Sequence, residues 1–309
     1  MPEYSIVVPV YNSHESLEEL FQRIDRTMNG LGKSFEVVFV DDDSHDASWN
    51  KLELLQKACP DAITAIRLAR NFGQHNATIC GIAQASGTYI ITLDDDLQNP
   101  PEEIPKLIST MEESDADLVY GIAGHKQHSM VRNLGSSALK ASSRRIYRTK
   151  GNGSSFRLMK ASLGKALLNH QINFIYIDEL FNWYTSHIAF VMVDHQKRPY
   201  QESTYTSRSL FSLFSNLVIY YTAIPLRIMV YTGFISAFLS FIIGVFFIYR
   251  KIAHNVPLGF TALIVAISFS TSIILLSLGI IGEYLSRIYK VQNRKPPYSI
   301  KTLRSHEVL

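Results

Sequence analysis

Asp94 and Asp96 flank a single residue in the segment TLDDDLQNPPEE, at the end of an apolar run. A tight turn at that point can aim both carboxylates at one cation. Hard oxygen ligands of this kind suit Mg²⁺ or Mn²⁺ bridging a diphosphate. Such a cation would neutralise charge building on a leaving nucleoside diphosphate, which is Lewis-acid chemistry. The competing reading is a solvated acidic turn that caps the following helix. A second acidic turn, VDDDSHD, places Asp41 and Asp42 at another strand end, where a carboxylate can accept a hydrogen bond from a nucleobase N–H. A helix N-cap is the alternative there, a role that Ser44 or Asp46 could fill alone. Tyr11 could stack on a base or be a tyrosine at the core edge. In RLARNFGQHNA, Arg70 follows a strand and could bind phosphate, or be a surface arginine, while Gly73 permits a tight loop. Asp178 and Glu179 in IYIDELF supply a general base if one is needed, or else form a polar loop pair beside Tyr176. Gly32-Lys33-Ser34 mimics the end of a P-loop, but Thr27 stands where the earlier glycine is required and a strand follows where one should precede.

The elements expected around these residues alternate. YSIVVPVYN, FEVVFVDDD, AITAIRLA and TYIITLDDD read as strands, and SHESLEELFQRIDRTMNGL and HDASWNKLELLQKA read as helices, with Ser13 the capping candidate of the first. Strand and helix in alternation imply an α/β fold with a parallel sheet covered on both faces. Ligands of such sheets bind beyond the carboxyl ends of the strands. Tyr11-Asn12, Asp41-Asp42-Asp43 and Asp94-Asp95-Asp96 all fall at such ends, which points to one site. The start, MPEYSIVVPVYN, lacks a basic region ahead of its short apolar run and reads as a first strand, not a signal peptide.

Composition sets the remaining bounds. The 309 residues suffice for one sizeable domain plus an accessory region, and a net charge of +3 gives no pointer to nucleic acid as a partner. Cys59 and Cys80 form no CxxC pair, and the ten histidines show no HExxH spacing, so a disulfide framework or zinc site is not expected. A reducing compartment fits better.

Near residue 208 the composition changes. Residues 228–249 and 260–281 are two mostly apolar, uncharged runs of about twenty residues, long enough to cross a bilayer core of ~30 Å. Arg250 and Lys251 lie in the link between them. Arg287, Lys290, Arg294, Lys295, Lys301 and Arg304 follow the second run, and Lys197, Arg198, Arg208 and Arg227 precede the first. This excess outside the link predicts a plasma-membrane protein with two spans and with both termini and the catalytic domain cytoplasmic. Residues 208–227 read as an amphipathic helix lying in the interface, GEYLSRIYKVQNRK as a second interfacial helix, and 286–309 as a basic tail. The expected organisation is therefore a catalytic domain over 1–207, the interfacial helix over 208–227, a transmembrane hairpin over 228–285, and the tail. Self-association through the hairpin is compatible with this layout.

The motifs VVPVYN, VDDDSHD, ARNFGQHNA, LDDDLQNPPEE, FRLM, HQKRPYQESTY and IGEYLSRIYK occur in the order found in family 2 glycosyltransferases of the polyprenyl-phosphate type. The chain resembles dolichol-phosphate mannosyltransferases and bactoprenol glucosyltransferases over nearly its whole length. The resemblance implies a GT-A, Rossmann-type nucleotide-sugar-binding domain. It also implies inverting transfer from a UDP- or GDP-linked sugar to polyprenyl phosphate, either undecaprenyl phosphate or dolichyl phosphate. Carried over, Pro9, Tyr11 and Asp42, with Asp41 beside it, hold the nucleoside. Asp94 and Asp96 ligate the metal, Asp95 and Gln98 line the same site, and Arg70 meets the diphosphate. Arg198, Ser203 and Tyr205 match the stretch that meets the acceptor phosphate at the membrane. The chain departs from the family pattern where Asp43 replaces a glycine, where Ser154-Ser155 precede Phe156 in place of an aspartate, and at Gln201 and Ser203-Thr204-Tyr205. Two other expectations fit the same residues. One is a transferase extending a lipid-linked glycan on a non-phosphate acceptor, and the other is a silent nucleotide-sugar-binding membrane subunit, against which the intact Asp94/Asp96 pair argues.

Overall fold

The computed structural model describes residues 1–123, 154–169, 177–196, 259–292 and 296–305, together with single helical positions between 231 and 253. The chain divides into two compact units, one of residues 1–203 with 294–309 and one of residues 204–293.

The first unit is built on an eight-stranded sheet in the order β7-β5-β6-β4-β1-β2-β3-β8. Its strands are β1 (Tyr4–Val10), β2 (Phe35–Asp41), β3 (Ile63–Leu68), β4 (Tyr89–Thr92), β5 (Leu118–Ala123), β6 (Arg157–Lys160), β7 (Ile188–Val193) and β8 (Ile300–Arg304). All seven residues of β1 are buried, because the strand is covered on both faces. Ile6, Val8 and Val10 enter one core cluster and Val7 the other, as a side-chain period of two requires. The first cluster is closed by α1 (Leu17–Gly30), α2 (Ser48–Ala58) and α4 (Ile104–Ser114). On the opposite face stand α3 (Gln74–Gln84), α5 (Ala161–Ala166) and α6 (Ile177–Tyr184). The strand order reverses at β1, which pairs in parallel with β2 on one side and β4 on the other. A crevice at such a switch point is where doubly wound sheets take ligands.

Three expectations need correction. The sheet is mixed, not parallel: β6 runs antiparallel to both β4 and β5, and β8 runs antiparallel to β3. Within the expected basic tail, Ile300–Arg304 form β8, the edge strand of this sheet, and Ala69 N donates to Ser299 O at 2.8 Å. Ser13 does not cap α1. Its N–H donates to Ser48 Oγ, its hydroxyl to Tyr11 O, and the helix opens at Ser16, whose own hydroxyl donates to Asp95 O. Gly73 and Asn12 adopt left-handed φ values of 89° and 53°, letting the chain turn sharply at the ends of β3 and β1.

In the second unit, α7 (Phe260–Gln292) is a single helix of 33 residues. At 1.5 Å per residue it is about 50 Å long. Its stretch Phe269–Ser286 makes it the one helix among the described residues long and apolar enough to cross a membrane. The expected interfacial segment GEYLSRIYKVQ is therefore mostly a continuation of the helix, not a separate element. The first expected span is described only at scattered helical positions, Tyr231, Phe238, Phe246 and Tyr249 among them. The helix expected over 208–227 lies outside the described residues.

Candidate active site

Three acidic or polar loops converge beyond the carboxyl ends of β1, β2 and β4, as the strand-end pattern requires. Asp94 follows β4 by two residues. Gln74 Nε2 donates to its Oδ1 at 2.6 Å, and the Ser155 hydroxyl donates to its Oδ2. Both of these donors are neutral and orient the carboxylate. Asp95 turns the other way, its Oδ2 accepting the Tyr11 N–H at 3.1 Å, which ties the β4 loop to the end of β1. Burial pushes the Asp95 carboxyl up to about 7, and the neighbouring charges of Asp94 and Asp96 add to the rise. Asp96 Oδ1 accepts the Gln98 N–H at 3.1 Å, holding the turn on which Leu97 takes a left-handed φ of 58°. Gln98 O accepts the Gln196 N–H at 2.9 Å, joining this turn to the segment after β7.

The β2 loop is organised differently. Asp41 is completely buried, with Arg67 Nε at 3.4 Å from Oδ2 and the Ser44 N–H on Oδ1. It is part of the framework, which corrects the expectation that it faces the donor. Asp42 is 3% exposed, and its two oxygens accept the Phe72 and Gly73 N–H groups at 2.7 Å each. It clamps the loop after β3. Burial raises both carboxyls above their ordinary range. The clamped loop carries Arg70, whose guanidinium lies 4.7 Å from the Phe72 ring centroid. Tyr11 is 44% exposed, with its ring 6.5 Å from that of His45, and is accessible for stacking.

Between the β1 and β4 ends lies a cavity of about 180 Å³ lined by Pro9, Gln74, His75, Asp94, Ser155 and Asp178, among others. Pro9, Asp94 and Asp178, far apart in sequence, are thus brought together. Asp178 stands on α6, not in a loop, and its Oδ1 accepts from the Tyr120 hydroxyl at 3.0 Å. Arg198, Ser203 and Tyr205 lie outside the described residues.

Sequence reasoning missed Gln74, His75, Ser155 and Arg157 as lining residues. The signal existed, since Gln74 and His75 lie in the FGQHNA motif and Arg157 in FRLM. Ser155 occupies the position where the family pattern has an aspartate, so a neutral hydroxyl holds Asp94 there. His75 is neutral near pH 7, because burial pushes its imidazole down to about 4.

Two carboxylates two residues apart, oriented by neutral donors, fit a hard divalent cation that completes its shell with substrate oxygens and water. Among the described residues no group of three His, Cys, Asp or Glu side chains gathers as an all-protein cage.

The domain has the GT-A-like α/β fold used for nucleotide-sugar binding. Residues 5–184 match the family model described as "Glycosyl transferase family 2". The chain belongs to that family. It is 33% identical over 305 residues to the undecaprenyl-phosphate 4-deoxy-4-formamido-L-arabinose transferase of Klebsiella pneumoniae (strain 342), covering 96% of this chain and 92% of that one. The transferase of the same name from Shewanella sediminis is 34% identical over 304 residues, with coverage of 97% and 92%. Among solved structures, glucosyl-3-phosphoglycerate synthase from Mycobacterium tuberculosis, in complex with Mn²⁺, UDP-glucose and phosphoglyceric acid, superposes with a TM-score of 0.50 at 17% identity. That match covers 71% of this chain and 78% of the synthase and bears on the fold.

Proposed function

We propose that this enzyme transfers a sugar from a UDP- or GDP-linked donor to undecaprenyl phosphate, with inversion, at the cytoplasmic face of the plasma membrane. The observation that carries the reading is similarity to undecaprenyl-phosphate sugar transferases over 96% of the chain, membrane segment included. The cavity beside Asp94 supports the donor half of the reaction. Asp94 and Asp96 would hold Mg²⁺ or Mn²⁺, which would stabilise the charge of the departing nucleoside diphosphate. Tyr11 would stack on the base, Asp42 would keep the Arg70 loop in place for the diphosphate, and Asp95 would tie the metal turn to β1. Arg198, Ser203 and Tyr205 would take the acceptor phosphate. A phosphate monoester is largely dianionic at neutral pH, its second pKa being about 6, so it attacks without surrendering a proton. Positioning then matters more than a general base.

A multi-pass topology is supported by the sheet itself. β8, which follows α7, is hydrogen-bonded to β3, which precedes the membrane segment. Both strands occupy one compartment, so the intervening chain crosses a bilayer an even number of times or not at all. If α7 spans, a second crossing must lie in residues 204–259, and the apolar run 228–249 supplies it.

The test is transfer by the purified full-length chain with undecaprenyl phosphate, Mg²⁺ or Mn²⁺, and a panel of nucleotide sugars that includes 4-deoxy-4-formamido-L-arabinose donors. The expected product is chloroform-soluble and releases the sugar in mild acid. Sugar appearing only on a non-phosphate glycan acceptor would overturn the reading.

A further inference from the structure

Arg157 opens β6, opposite Thr92 of β4 and Tyr120 of β5, and is 4% exposed. An arginine this deeply buried is costly to desolvate unless its charge is answered. Three contacts answer it. Nε donates to Ser154 O at 2.7 Å, Nη2 lies 3.3 Å from Asp178 Oδ1, and the guanidinium lies against the Tyr120 and Phe181 rings at 5.8 and 5.6 Å from their centroids. The Tyr120 hydroxyl donates to the same Asp178 oxygen. Both donors therefore converge on Oδ1, and Oδ2 keeps its acceptor capacity in a residue that lines the cavity beside Asp94. Arg157 Nη1 is itself a buried donor without a hydrogen-bond partner among the described residues. A polar cluster left incomplete in this way, at the wall of a cavity, is matched to a ligand rich in hydroxyls. The cavity of about 180 Å³ is smaller than the ~300–1,000 Å³ that takes a drug-sized ligand, so it suits one ring of a larger donor.

We propose that Asp178 and Arg157 form the sugar subsite of the donor pocket, with Asp178 accepting from a hydroxyl of the sugar ring and Arg157 acting as the positioning residue that fixes Asp178. This rests on the nucleotide-sugar reading above. It gives Asp178 a recognition role in place of the general-base role considered from the sequence. His75, neutral at the same wall, adds a group that can donate or accept.

Calorimetry with UDP and GDP alone, and with the matching nucleotide sugars, separates the sugar's contribution from that of the nucleotide. The wild type is expected to bind its nucleotide sugar more tightly than the bare diphosphate. Asp178→Asn should lose about 10- to 100-fold of that increment, the size of one hydrogen bond to a charged group, and leave the bare diphosphate unaffected. Arg157→Gln should show the same pattern. Arg157→Lys, which keeps the charge beside Asp178 and is the variant least prone to misfold, should recover part of the increment because one ammonium replaces a fork that makes several contacts. The subsite is overturned if Asp178→Asn leaves nucleotide-sugar affinity intact while kcat collapses and the acid limb of its pH profile disappears, since that marks a base. It is also overturned if the bare diphosphate and the nucleotide sugar weaken equally in Arg157→Lys. A wild type that binds neither class of ligand would instead overturn the donor reading on which the subsite depends.

Discussion

The chain contains the tripeptide Asp-Asp-Asp twice, at the ends of β2 and β4, and the two copies are put to opposite uses. At β2, Asp41 is sealed against Arg67 and Asp42 is consumed by two backbone N–H groups of the next loop. At β4, the first carboxylate borders the cavity and is oriented by side chains, while the middle one turns back to the Tyr11 N–H. The difference does not lie in the acids. It lies in what surrounds them: a tight loop after β3 offers peptide donors to Asp42, whereas Gln74 and Ser155 offer side-chain donors to Asp94. The backbone-held pair at β2 is buried framework, whereas Asp94 reaches the cavity wall, where a ligand can meet it.

The contrast is broken most sharply by Asp94→Asn. Transfer should fall by at least about 10²–10³-fold, or ~3–4 kcal/mol of transition-state stabilisation, with unfolding unchanged. A single-turnover assay beside a thermal melt checks both halves. The mirror result is expected at β2: Asp42→Ala removes two charge-assisted bonds and should cost about 2–4 kcal/mol of stability, read from denaturant midpoints. Activity lost in Asp42→Ala without any loss of stability would reverse the assignment.

A third expectation concerns pH. The Asp95 carboxyl sits at about 7 in the folded chain, above its unfolded value of ~3.9, so the native state holds a proton that the unfolded state has released. Stability is then greatest below pH ~4 for this group and declines as pH rises toward about 7. Melting in EDTA should fall between pH 5 and pH 8 in the wild type, and Asp95→Asn should flatten that decline. The smallest effect belongs to Asp43→Gly. Asp43 has a left-handed φ of 57° and an ion pair with Arg67 at 3.4 Å. Glycine would relieve the backbone and lose the partly exposed pair, so the change should stay within about 1 kcal/mol by calorimetric melting.

Asp43 also shows what the sequence could and could not reveal. Aspartate in place of the family's glycine reads as a departure, yet it fills a left-handed position that glycine suits and aspartate tolerates. The strands β1 to β4 were legible because short apolar runs are a local signal, as were the acidic ends of β2 and β4. β6 was not, since four residues that slot between β4 and β5 are chosen by pairing with distant partners, not by their own pattern. Asp178 was visible as an acid, but its contacts with Tyr120 and Arg157 join residues far apart in the chain. The start of α1 falls three residues after the expected cap, because Ser13 resembles a cap and the tertiary bond from Ser16 to Asp95 O sets the helix start.

The place of β8 also sets an order of events during synthesis. β3 is complete by residue 68, but the strand that covers its open edge is made about 230 residues later. At ~5–20 residues per second, that edge waits roughly ten to fifty seconds on the ribosome with its backbone groups unpaired. An uncovered edge invites pairing with another chain, and here it is closed only after every residue of the second unit, 204–293, has been made. The eight-stranded sheet thus becomes whole last, once the long helix α7 has been made.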